Sequence, residues 1–286
     1  TYPNEAVRRI TVNGVRINYF DYYPEADGVP ILFLHGYSGA GFEAQFIHEY
    51  LGPHHRLIAP DFPGAGLSEK PEVDYTLDYY LSFVRAFVRE LGLEEYHVIG
   101  HSMGGLVASR HVTAEPAAVR RLVLLAPFGM DGAAGAFTEF LVRTGVLVDF
   151  GLELHNETIM DIAMRTNIFA NPDRIPHDFV HYLARSSFHT PNATSALASI
   201  TRNIIAGSHD PSHLELIDVP VMIIWGEDDR VLNPRYADDF QRMIPHSELY
   251  TISECGHLPH VEQPGVTSRM ILDFLNPDDP GSPSPH

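Results

Sequence analysis

The stretch Val98-Ile99-Gly100-His101-Ser102-Met103-Gly104-Gly105-Leu106 decides the architecture of this 286-residue chain. It contains Gly-x-Ser-x-Gly, which carries little weight alone. At ordinary Gly and Ser usage a chain of this length shows it by chance roughly one time in ten. The surroundings give it meaning. An apolar strand, His97-Val98-Ile99, runs in, and a helix from Met103 to Ala114 runs out. A serine at such a turn takes a strained backbone, so that its hydroxyl stands clear of the sheet. Side chains at the flanking glycines would clash, and Gly105 adds a third small residue where the helix packs close. The new helix aims its first N–H groups at the same point. His101 sits beside the serine, and its side chain is expected to point elsewhere in a structural role.

Outward from this turn, continuous apolar runs alternate with helical patterns. Residues 7–12 and 15–22 read as two strands around Asn13-Gly14, a strong hairpin signal. Ile31–Leu34, Arg56–Pro60, Arg121–Leu125, Val221–Trp225 and Glu248–Ile252 read as further strands. Tyr75 to Leu91 and Val266 to Leu275 read as helices. Strands apolar on both faces, alternating with helices, indicate an α/β protein with a mostly parallel sheet covered on both sides. From about Gly129 to His213 the rhythm breaks into helical periodicity without a clear strand. The expected division is therefore a core over 1–128 and 214–275, a helical cap inserted at 129–213, and a disordered tail over 276–286. No internal repeat is evident.

A serine hydroxyl is a poor nucleophile without an adjacent base, commonly histidine. In this strand-to-helix architecture the acid and the histidine follow the serine in chain order. Seventeen histidines compete, so position decides. His257 follows the last strand in Cys255-Gly256-His257-Leu258-Pro259, a loop able to carry an imidazole over the sheet edge. His260 is its local rival, His246 precedes the strand, and His209 and His213 lie at the cap boundary. The acid, which fixes the histidine tautomer, belongs after Val221–Trp225. That loop reads Gly226-Glu227-Asp228-Asp229-Arg230, so three adjacent acids stand open, with one of the others solvated or paired with Arg230.

Composition narrows the classes. Apolar residues make up 44% and charged residues 20%, enough for a sizeable core. The formal net charge of −18 repels nucleic acid and anionic membranes. No apolar run is long enough to span a bilayer, and Thr1-Tyr2-Pro3-Asn4-Glu5 is unlike a signal peptide. The sole cysteine, Cys255, allows no internal disulfide and fits a reducing compartment. A cytoplasmic protein, monomer or homo-oligomer, acting on a small molecule is expected. No cofactor or metal is implied. His209 and His213 have i, i+4 spacing, but Asp210-Pro211 between them makes a shared helix face doubtful.

Several motifs now stand in order. They are His35-Gly36 after a strand, Asp61-Phe62-Pro63-Gly64-Ala65-Gly66-Leu67-Ser68, Gly-His-Ser-Met-Gly-Gly, Trp-Gly-Glu-Asp-Asp, and Gly-His followed by Glu262 and Pro264. Together they resemble the α/β-hydrolase superfamily, in the branch of small esterases, meta-cleavage-product hydrolases, cofactor-free haloperoxidases and epoxide hydrolases. The resemblance implies an α/β-hydrolase fold with a cap. It implies a triad of Ser102, His257 and an acid three residues after Gly226, which selects Asp229. It also implies oxyanion donors at the backbone N–H groups of Tyr37 and Met103. The Met103 donor follows independently, as the residue after the nucleophile.

Departures from the pattern narrow the branch. Epoxide hydrolases and haloalkane dehalogenases of this fold carry Asp where this chain has Ser102, which argues against both. Hydrolases of ring-cleavage products usually show Asn before the serine and Trp after the histidine, where this chain has His101 and Leu258. A carboxylesterase for small to medium acyl esters is therefore expected. The alternatives are a carbon–carbon hydrolase of a vinylogous diketo acid, a perhydrolase, or a hydrolase-fold binding protein with vestigial turnover. Phe128, Met130, Phe137, Phe140, Leu141, Val146, Leu147, Met160, Met164 and Phe169 are available to line an apolar pocket, although packing between cap helices accounts for most of them. Arg165, Arg174 and Arg185 are available for a substrate carboxylate, although a solvated face accounts for them as well.

Overall fold

Alternate residues of the central strands bury into two different hydrophobic layers. In β3 (Gly28–Leu34), Leu32 and Leu34 face one layer, and Ile31 and Phe33 face the other. The same alternation holds for Leu122 and Leu124 against Val123 and Leu125 in β6 (Val119–Leu125). Such strands can exist only inside a sheet covered on both sides. The computed structural model describes residues 6–130, 132, 157–188 and 190–276.

Among these residues the sheet has eight strands in the order β1-β2-β4-β3-β5-β6-β7-β8. The hairpin of β1 (Val7–Val12) and β2 (Val15–Tyr22) turns on Asn13 and Gly14, both at positive φ. It packs antiparallel onto β4 (His55–Pro60). Every later pair is parallel: β4 with β3, then β5 (Tyr96–His101), β6, β7 (Val221–Gly226) and β8 (Glu248–Ile252).

One layer is covered by α1 (Leu77–Glu90) and α2 (Met103–Ala114), with Tyr80, Phe83 and Phe87 of α1 in the core. Thr76 caps α1, its hydroxyl accepting from the Tyr79 N–H at 3.2 Å. The other layer takes in Met160 of α3 (Glu157–Ala163) and Leu183 of α4 (Phe179–Phe188), and α5 (Ala193–Ile200) follows. After β7 comes α6 (Arg235–Met243), and after β8 come α7 (Pro259–Glu262) and α8 (Pro264–Leu275).

The expected strands are all present, β8 and α2 with the same ends. Helix α6 is not among the expected elements, although Tyr236, Ala237 and Phe240 recur there at helical spacing and are buried. Residues 131, 133–156 and 189 of the expected cap and 277–286 of the expected tail lie outside the described residues. The described residues of 157–188 and 190–213 form helical elements joined by short loops and no strand, as the periodicity indicates. No helix among the described residues is long and apolar enough to cross a membrane.

Candidate active site

In an open parallel sheet, ligands bind beyond the carboxyl ends of the strands. Four loops meet at that edge here: His35-Gly36 after β3, Ser102 after β5, Asp229 after β7 and His257 after β8.

The elbow is built as its glycines require. Ser102 sits at φ 51°, ψ −118°, a costly backbone for a residue with a Cβ. Its carbonyl accepts from Gly105 N at 2.8 Å, Leu106 N at 3.3 Å and Phe128 N at 3.0 Å, which holds the strained turn in place. A Cβ on Gly100 would lie 2.6 Å from the Gly104 carbonyl oxygen. A Cβ on Gly104 would lie 2.1 Å from the Leu34 carbonyl oxygen, and one on Gly105 would lie 2.7 Å from Pro127. The three small residues thus allow α2 to start directly against β3.

The histidine and one of the three acids meet. His257 Nδ1 lies 2.7 Å from Asp229 Oδ2, and both residues are buried. The carboxylate can only accept, so the Nδ1 proton points at it and the Nε2 lone pair is left free. Asp229 also accepts from the Trp225 indole at 3.1 Å and from the Val231 and Leu232 amides at 2.8 and 3.0 Å. The other two acids are exposed. Glu227 accepts from the Thr251 hydroxyl, while Arg230 donates to the Thr166 carbonyl rather than pairing with a neighbouring acid.

The loop after β3 is held by its own histidine. The Phe62 amide donates to His35 Nε2 at 3.0 Å, so the ring proton sits on Nδ1 and donates to the Gly36 carbonyl at 2.8 Å. Burial keeps His35 neutral by pushing its pKa down. Asp61, buried below this loop, accepts from the Gly41 and Leu67 amides and from Asn18. Tyr37 follows on the loop, its hydroxyl 2.7 Å from Thr201 Oγ1, and Ser38 beyond it is at positive φ.

Tyr37, Ser38, Ser102 and His257 line one cavity of about 60 Å³. Among the described residues no hydrogen bond joins the Ser102 hydroxyl to His257; such bonds often tighten only with substrate bound. The rest of the lining is mainly apolar: Met160, Ala163, Met164, Ile168, Leu183, Val231 and Leu258. Met103 heads α2, where a helix start leaves an N–H without an intrahelical partner, but its side chain packs in the core.

Of the pocket residues expected from sequence, Met160 and Met164 line this cavity. Phe128 and Phe169 pack in the core, Met130 lies against it, and Phe137, Phe140, Leu141, Val146 and Leu147 lie outside the described residues. None of the three arginines reaches the cavity. Arg165 pairs with Asp161, Arg174 with Glu254, and Arg185 is exposed on another groove.

The structure corrects the reading of His101. Its ring does not point away but lines the cavity, and its Nε2 lies 3.0 Å from the His257 carbonyl oxygen. His260, the rival base, is fully buried and bonds Glu43 rather than Asp229. His209 and His213 bond separately, to the Ile204 carbonyl and the Ser109 hydroxyl. Among the described residues, those that stand close enough to share an ion are instead Glu43, His101 and His260, whose ligand atoms lie within 4.8 Å of one another. Glu43 and His260 already spend their facing atoms on each other.

The alpha/beta hydrolase family model matches residues 31–269, and the chain belongs to that family. Among its relatives is a putative 2-succinyl-6-hydroxy-2,4-cyclohexadiene-1-carboxylate synthase of Bacillus subtilis, 30% identical over 93% of this chain and 97% of the relative. Another is the 2-hydroxymuconate semialdehyde hydrolase of Pseudomonas sp. strain CF600, 26% identical over 95% of this chain and 94% of the relative. The fold matches a meta-cleavage product hydrolase from Pseudomonas fluorescens IP01 with a TM-score of 0.79 at 22% identity, over 96% of this chain and 99% of that one.

Proposed function

We propose that this hydrolase is a serine carboxylesterase acting on small to medium acyl esters, with Ser102 as nucleophile, His257 as base and Asp229 as the acid that orients it. The observation that carries the reading is the 2.7 Å Asp229–His257 pair, set beside a cavity that Ser102 lines from a strained elbow. His257 takes the Ser102 proton as the hydroxyl attacks the ester carbonyl. The amides of Tyr37 and Met103 hold the oxyanion, each such donor contributing ~3 kcal/mol. His257 then protonates the leaving alcohol, and water hydrolyses the acyl-enzyme by the same route. Residues 129–213 act as the cap that selects the substrate, inserted between core segments 1–128 and 214–275.

An ester is favoured over a substrate with a free carboxylate by the cavity wall, which among the described residues carries Glu43 but no lysine or arginine. Carbon–carbon hydrolysis is the second reading, favoured by relatives named for 2-hydroxy-6-oxo dienoic acids. A panel of p-nitrophenyl esters from acetate to decanoate, run beside a vinylogous diketo acid, separates the two. Turnover of the esters supports the first reading, and turnover of the diketo acid alone replaces it with the second. Ser102→Ala is expected to abolish turnover of the preferred substrate with the fold retained, and residual activity near wild type contradicts the assignment.

A further inference from the structure

One buried carboxylate is not used by this chemistry. Glu43, on the 3-10 turn Gly41–Phe46, is 2% exposed yet lies against three loops of the site at once. Its Oε1 accepts from the Ala40 amide at 3.3 Å, on the chain that continues from Tyr37. Its Oε2 accepts from His260 Nε2 at 3.2 Å, on α7 just beyond His257. The same oxygen lies 3.8 Å from His101 Nδ1, on the Ser102 strand, in contact without a hydrogen bond. The His101 ring in turn donates from Nε2 to the His257 carbonyl at 3.0 Å.

The packing leaves little slack. A Cβ on Gly39 would lie 2.4 Å from Glu43 Oε1, so the loop crosses directly over the carboxylate. A Cβ on Gly36 would lie 2.8 Å from His101 Nδ1. The His101 ring centroid is 4.9 Å from that of His257 and 4.8 Å from that of His260. A buried carboxylate is costly unless its oxygens are used. Here they are used to join elements that are far apart in sequence, His260 lying 217 residues from Glu43.

We propose that Glu43 is a positioning residue, the buried bracket whose hydrogen bonds to Ala40 and His260 fix the oxyanion loop against the His257 loop, with the His101 ring of the Ser102 strand packed between them. The inference rests on the Ser102–His257 assignment proposed above. Glu43 lines the cavity edge but its hydrogen bonds go to Ala40 and His260, and a misplacement of about 1 Å at the reacting groups can cost ~100-fold in rate.

The test compares Glu43→Gln, Glu43→Leu and His260→Phe with the wild-type chain. Its readouts are the rate of Ser102 phosphonylation by a fluorophosphonate, kcat and KM on a p-nitrophenyl ester, and Tm. Gln keeps an acceptor for the Ala40 amide. Its NH2 can donate to His260 once that ring moves its proton to Nδ1, a nitrogen that has no partner to lose. The Gln variant is expected within about 3-fold of wild type, and Leu at a 10- to 100-fold loss in kcat and labelling rate with KM within about 2-fold. His260→Phe breaks one arm only and is expected between them, so the test survives if the Leu variant does not fold. A folded Leu or Phe variant with wild-type kcat and labelling rate overturns the bracket. So does a loss confined to KM, or a Gln variant as damaged as Leu. A Ser102→Ala control that still labels and turns over sinks the triad assignment instead, which keeps the two failures apart.

Discussion

Asp229 gathers four N–H donors on two oxygens, while Asp228, one residue earlier, leaves its side chain in solvent. The difference is local. The Asp229 carboxylate folds over its own following backbone to accept from Val231 and Leu232, and that turn aims the remaining oxygen inward at His257. Three acids in a row cannot be separated by composition or spacing. The usable signal is the apolar Val231-Leu232 pair that buries one face of the loop. Asn at 229 would place an NH2 against N–H donors. Asp229→Asn is therefore expected to lower kcat by ~10³- to 10⁴-fold, as loss of the histidine-orienting acid does elsewhere. Asp228→Asn is expected to stay within about 2-fold. Steady-state kinetics on one ester checks both, and the reverse ranking moves the acid to Asp228. Ser102 is expected from sequence because it follows an apolar strand, and His257 because it follows the last strand of the sheet. Glu43 is not, because nothing on its own turn marks it and its partners come from the other end of the chain.

At the scale of elements, the elbow depends on α2 and β3 touching backbone to backbone. Gly104→Ala would push a methyl into the Leu34 and His35 carbonyls at 2.1 and 2.5 Å, in the middle of the sheet. A cost above ~4 kcal/mol is expected, a Tm loss of roughly 8 °C or more. Gly92→Ala is the control. Gly92 has φ +67° with nothing within 4 Å of a Cβ, so only backbone strain of ~1–2 kcal/mol applies. Equal Tm losses would show that close approach does not decide the elbow. The histidine loop is tied to residues 168–171 by a comparable device. Glu262 accepts from Gly256 N at 2.7 Å, Ala170 N at 3.2 Å and Asn171 N at 2.8 Å, while the His257 amide donates to the Ile168 carbonyl at 2.8 Å. Sequence marks Glu262 only as a member of a motif, because its work is done on a segment some ninety residues earlier. The strands are legible because a short run that is apolar on both faces fits a sheet covered on both sides. Helix α6 is missed because its buried positions are few and stand among charged residues.

For the whole molecule, the buried rings of His97, His101, His111 and His213 act as an acid fuse. Burial lowers the pKa of His97 to about 3 and of His111 and His213 to about 4, and drives His101 well below its ordinary value. Unfolded, these rings titrate near 6.5. Above that pH both states are neutral and the rings contribute no pH dependence. As pH falls below about 6.5 the unfolded state takes up protons that the folded state refuses. Each ring then removes up to ~1.4 kcal/mol of stability per pH unit, until its folded pKa is reached. Tm is therefore expected to fall steeply between pH 6.5 and 4, and less steeply in His97→Gln. A Tm that is flat or rises over that range contradicts the burial of these rings as neutral groups. The two-layered α/β core is legible in the sequence, since its strands announce both the sheet and its two covered faces. The substrate is not legible, because the cavity wall is assembled from Met160, Met164, Ile168 and Leu183, whose apolar character serves packing equally well. The central claim is that Ser102 is a nucleophile made reactive by His257. It is tested most directly by fluorophosphonate labelling followed by mass spectrometry of the digested protein. The expected result is a single adduct on the peptide carrying Ser102, formed in the wild-type chain and slowed by ~10³-fold or more in His257→Ala. No adduct at Ser102, or an adduct that forms as fast without His257, would contradict it.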